Sequence, residues 1–68
     1  MDWKDLASSV ADAAPTIGSL LAGSAGSAAG TVLASVFGTE DNPDAVRKAI
    51  AADPEAAAKM RQAELDHA

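Results

Sequence analysis

The chain has no cysteine and no tyrosine, and it has one tryptophan (Trp3), one phenylalanine (Phe37) and one histidine (His67). Without cysteine there is no disulfide, and without a Cys/His cluster there is no structural zinc site, so the usual staples of small folds are excluded. A chain of 68 residues has room for one domain and buries a modest share of its surface, which leaves partners as the expected source of further stability. Basic residues are scarce as well. Lys4, Arg47, Lys48, Lys59 and Arg61 stand scattered among the acids, and the net charge is −5. No basic stripe exists to displace counterions from phosphate, which argues against nucleic acid as a partner, and no polybasic patch exists for an anionic lipid surface. Any membrane contact is therefore expected to be hydrophobic.

The groups that carry chemistry are missing too. Ser8, Ser9, Ser19, Ser24, Ser27 and Ser35 have no histidine near them in sequence, so no nucleophile and base are paired locally. Gly18, Gly23, Gly26 and Gly30 lack the G-x-G-x-x-G spacing of a dinucleotide fold, and no lysine follows them as in a P-loop. The acidic run around Glu40, Asp41, Asn42 and Asp44 lacks the glycine and the closing glutamate of a calcium loop. The expectation is a protein that is not an enzyme, with no catalytic residue, no cofactor, no metal and no small-molecule substrate.

What the chain does have is a long segment without charge. From Ala13 to Thr39 there is no acidic or basic residue, a run of about 27, where about 20 apolar residues are needed to cross a bilayer as a helix. Its hydropathy is borderline, because Ala22 to Thr31 holds nothing larger than threonine. Small residues recur every fourth position at Gly18, Ala22, Gly26, Gly30, Ala34 and Gly38. On a helix this spacing makes a ridge that lets another backbone approach closely, with Gly26 and Gly30 as a GxxxG pair. Alanine and glycine are so frequent here that the same spacing also arises from composition. The apolar anchors lie toward the two ends of the segment: Ile17, Leu20 and Leu21, then Val32, Leu33, Val36 and Phe37. The segment reads either as one helix or as a helical hairpin that turns within Gly23 to Gly30, since glycine weakens a helix by about 1 kcal/mol per site.

The flanking parts read as helices with marked ends. In residues 1–14, Trp3, Leu6 and Val10 recur at helical spacing behind Asp2 as N-cap, and the stripe stops before Pro15. Asp2 and Asp5 stand where a secretory signal would be basic, so no cleavable leader is expected. In residues 40–68, Asn42-Pro43-Asp44 and Asp53-Pro54-Glu55 each combine an Asx cap, a proline at the first helical position and an acid at the positive helix end. They predict helices over 43–52 and 54–66, with solvated charged faces. The fold class is all-α: short helices around a central Ala/Gly-rich apolar helix or hairpin at 15–39, with no independent globular core.

Three stretches resemble a known family. Met1-Asp2-Trp3-Lys4-Asp5-Leu6-Ala7, Ala14-Pro15-Thr16-Ile17-Gly18, and Gly38-Thr39-Glu40-Asp41-Asn42-Pro43-Asp44-Ala45-Val46 with Ala51-Ala52-Asp53-Pro54-Glu55-Ala56-Ala57 look like the amino-terminal part of the three-transmembrane holins of phages and gene-transfer agents. The paired Asx-Pro-acid signals are the most specific element. The resemblance implies a phage-encoded, holin-like protein that self-associates and acts on or in the bacterial inner membrane, with other phage proteins as further partners. The family carries additional membrane-spanning segments beyond the region that these residues resemble. The alternative reading is a small multi-copy component of the phage particle, in a tail, portal or genome-ejection apparatus. Both readings expect homo-oligomers packed through the uncharged segment.

Overall fold

Three prolines punctuate the chain, and two of them open helices. The computed structural model describes residues 1–67; Ala68, the last residue of the expected tail, lies outside it. Pro15 begins helix α2 (Pro15–Ala22) and Pro43 begins α4 (Pro43–Ala52). In each case the ring's missing N–H falls where a helix has no internal acceptor for it. Ahead of them a 3-10 turn, Trp3–Leu6, runs into a short α1 (Ala7–Ala11). Helix α3 is Gly26–Phe37 and α5 is Ala56–His67. Among the described residues there is no strand.

Two expected boundaries differ. The first helix opens as a 3-10 turn because Asp5 N–H donates to the Asp2 carbonyl at 3.0 Å, while Asp2 N–H donates to Asp5 Oδ2 at 2.9 Å. These reciprocal bonds over three residues tighten the first turn. The last helix starts at Ala56 rather than Pro54. Glu55 N–H donates to Asp53 Oδ1 at 2.8 Å, and the other Asp53 oxygen pairs with Lys59 Nζ. Asp53 thus folds residues 53–55 into a turn of its own, and α5 follows it.

The uncharged segment is bent. Helix α2 ends at Ala22, residues 23–25 turn, and α3 begins at Gly26. Gly23 N–H and Gly26 N–H donate to the carbonyls of Leu20 and Gly23, both at 3.2 Å. Helix α3 then stops at Gly38, which has φ +62° and ψ +40°. Thr39 N–H returns to the Ala34 carbonyl at 3.0 Å and Gly38 N–H to that of Ser35 at 3.3 Å. This pair of bonds around a left-handed residue is a Schellman stop.

Packing runs mostly between sequence neighbours: α1 on α2, α2 on α3, α3 on α4. Helix α5 crosses back over α3 and α2, and the 3-10 turn touches α2, α3 and α4. The buried cluster joins Leu6, Val10, Ile17, Leu21, Leu33, Val46 and Met60 with five alanines, Ala14, Ala29, Ala34, Ala56 and Ala63. The expectation that the chain lacks a core of its own is therefore corrected. Counting large side chains undervalues this interior, because alanine and glycine let the helices approach until a few large residues suffice to fill the space. The radius of gyration is 10.1 Å, against about 11 Å for a folded chain of this length.

Candidate association surface

The hairpin of α2 and α3 contains all the residues of the expected interface except Gly38, and it uses them in different ways. Gly18 faces α1: a β-carbon there would lie 2.6 Å from Ala11 Cβ and 2.7 Å from Ala11 Cα. Gly30 faces the Trp3 indole, with 2.6 Å between such a β-carbon and Trp3 Cδ2. Gly26 lies against the Leu21 carbonyl oxygen, at 2.9 Å on the same measure. Ala34 is buried in the core, Ala22 is exposed, and Gly38 is the stop of α3. The six small positions thus fall on two helices and a cap. Three of them give close approaches within the chain itself.

The apolar anchors divide as well. Ile17, Leu21 and Leu33 are buried, Val32, Val36 and Phe37 are partly buried, and Leu20 is 43% exposed. Leu20 stands at the edge of an open groove between the two helices, about 250 Å³ in volume, lined by Ile17, Leu20, Ala25, Ala28, Ala29 and Val32. Nothing in α2 or α3 is charged. A second, more polar groove of about 360 Å³ lies by the interhelical turn, with Trp3, Lys4 and Ser24 in its wall. Among the described residues no helix is long and apolar enough to cross a membrane.

Polar residues fix the hairpin from both sides. Helix α2 begins without a capping side chain of its own, because its N-cap is Ala14. Glu64 of α5 supplies the missing acceptor: Thr16 N–H donates to Glu64 Oε2 and Ile17 N–H to Oε1, both at 3.1 Å. Hydrogen bonding by the Thr16 side chain, then by the N–H groups of Ile17 and Thr16, holds the Glu64 carboxyl below the usual glutamate range, against an opposing effect of partial burial. On α3, Thr31 Oγ1 donates to Asp41 Oδ2 at 2.7 Å and ties the loop after Gly38 to the helix. Asn42 Oδ1 accepts Ala45 N–H at 2.8 Å and caps α4. Lys59 Nζ lies 5.9 Å from the centre of the Phe37 ring.

Glu64 is the residue that sequence reasoning missed. Its place among charges on α5 reads as a solvated face. The available signal was on the other helix: Ala14-Pro15 opens α2 with no Ser, Thr, Asp or Asn to receive its first amides. Among the described residues no group of three or more Asp, Glu or His is placed to hold a metal ion.

The chain matches no known protein family, and no curated protein or solved structure is similar to it.

Proposed function

We propose that the protein is a phage-encoded, holin-like association module whose copies join through the uncharged α2–α3 hairpin and act at a bacterial membrane. The observation that carries this reading is the open apolar groove of Ile17, Leu20, Ala25, Ala28, Ala29 and Val32, set in two helices without charge. Copies that each carry −5 repel one another, and a charge-free face is where they meet with least electrostatic and desolvation cost. The resemblance of residues 1–7, 14–18, 38–46 and 51–57 to holins suggests the phage setting, with other phage proteins as additional partners. Helices of 8 and 12 residues are about 12 and 18 Å long, short of the roughly 30 Å of hydrocarbon. The hairpin therefore works by packing against other helices or by lying along the lipid surface.

The absence of a spanning helix among the described residues, together with the enclosed core, favours a second reading, a multi-copy component inside the phage particle. Mass spectrometry of washed particles and of membranes from late-infected cells separates the two. Stoichiometric recovery in particles supports the component, and recovery in membranes alone supports the holin-like role. Association is tested by sedimentation of the full chain with Leu20→Glu and Val32→Glu. Oligomers that persist unchanged in the double variant would sink the groove as the joining face.

A further inference from the structure

Helix α5 is held to the molecule by three kinds of contact. Ala56, Met60 and Ala63 place one face in the core, Lys59 lies over the Phe37 ring, and Glu64 bonds the start of α2. Among the described side chains, Met60 is the single large one in that buried face. The polar contact is correspondingly important.

We propose that Glu64 is an acid-sensitive clasp: its carboxylate, bonded to the first amides of α2, keeps α5 closed over the hairpin, and protonation lets α5 lift and uncover the apolar residues beneath. This inference does not rest on the holin-like reading.

The accounting of donors at the start of α2 is complete. Pro15 has no N–H, Thr16 and Ile17 donate to Glu64, and Gly18 N–H donates to the Ala14 carbonyl at 2.8 Å. A carboxylate fits because both its oxygens accept and because the helix start carries partial positive charge. On protonation one oxygen becomes an O–H and the carboxyl loses its negative charge, so both bonds to the helix amides weaken.

Among the described side chains, no neighbouring charge substitutes for the carboxylate. Helices α2 and α3, on which α5 packs, carry no titratable group. Asp12, in the turn leading to α2, is exposed. On α5 itself Arg61 and Asp66 are exposed, and Lys59 pairs with Asp53. Asp53 sits in the 53–55 turn that joins α4 to α5, so acid also loosens the joint about which α5 would move. The residues uncovered belong to the cluster that contains Ile17, Leu33 and Met60.

The test is a pH series on the full chain by amide NMR, reading the Thr16 and Ile17 shifts and the protection factors of α5 against those of α2 and α3. The expected result is that Thr16 and Ile17 titrate together with the Glu64 carboxyl. Over the same interval α5 should lose protection by roughly tenfold or more while the hairpin keeps its own, with a hydrophobic dye binding as α5 opens. Glu64→Gln should show the lowered α5 protection already at neutral pH. If α5 loses protection only together with the whole molecule, or if Glu64→Gln keeps wild-type protection at neutral pH, the clasp is overturned. Should the variant fail to fold, the wild-type series decides alone.

Discussion

The Trp3 indole occupies the space that a side chain on Gly30 would need, with Trp3 Cδ2 only 2.6 Å from where the β-carbon would stand. Half of the GxxxG pair is thus covered by the chain's own N-terminal turn. Gly30→Ala gains about 1 kcal/mol of helix propensity and loses about 1 to 3 kcal/mol by overpacking. The net expectation is destabilisation by about 1 kcal/mol in the wild type, from the difference of those effects. In a Trp3→Ala background the same substitution should stabilise. A double-mutant cycle by urea denaturation checks the reversal of sign, and equal effects in both backgrounds would refute the contact.

At Gly18 the obstacle is backbone. Ala11 Cα and N lie 2.7 and 2.8 Å from the position of an added β-carbon, and neither can swing aside as a side-chain tip can. Gly18→Ala should cost at least about 2 to 3 kcal/mol by separating α1 from α2. Gly23, in the interhelical turn, has φ −105° and only ordinary contacts, the nearest to Ser19 O at 3.7 Å. Gly23→Ala should be neutral or stabilising by up to about 1 kcal/mol. Thermal melts of the two variants, run side by side, measure the contrast.

The stop of α3 and the start of α4 give a second pair. Among the described residues Gly38 is the only one with positive φ, at +62°, and nothing lies within 4 Å of an added β-carbon. Gly38→Ala should therefore cost about 1 to 2 kcal/mol through backbone strain alone, and Gly38→Asn less, since asparagine tolerates that conformation. Asn42→Ala removes the cap on Ala45 N–H and should cost about 1 kcal/mol. Chemical denaturation midpoints report both, and a wild-type midpoint for Gly38→Ala would mean that this stop contributes nothing.

Stability should fall at both pH extremes. The Lys59 ammonium, followed by Glu55 N–H, lowers the Asp53 carboxyl, and hydrogen bonding at the start of α2 lowers that of Glu64. A lowered acid contributes stability that is fully present above its unfolded value, about 4, and is lost as pH falls through the folded value. Asp53 in turn raises Lys59. Its contribution is present below the unfolded lysine value, about 10.4, and is lost as pH rises through the folded one. Melting temperature against pH should show a plateau between these limits. Asp53→Asn should weaken the fall at both ends, and unchanged limbs in that variant would refute the assignment.

Local chemistry made much of the fold legible. Asn42-Pro43-Asp44 marks the start of α4 because cap, proline and acid act within one turn. Pro15 likewise ends one helix and opens the next. The bend at 23–25 was one of two readings, because glycine frequency alone does not say which glycine turns and which packs. Pro54 misled because Asp53 is held by Glu55 N–H and by Lys59, six residues along the chain, and a turn wins over a helix start. The covering of Gly30 by Trp3 and the capping of α2 by Glu64 join residues 27 and about 48 apart. No sequence periodicity reports contacts of that range, and the four-residue spacing of small residues looked alike whether its partner was another chain or this one.

The order in which helices touch has a kinetic consequence. Because α1 to α4 each pack on a neighbour in the chain, most of the fold needs only short loops to close. Such low contact order sets an expected folding time on the order of microseconds to milliseconds. The bonds from Thr16 and Ile17 to Glu64 close the longest loop described, so the seating of α5 is the expected last event of folding and the first of unfolding.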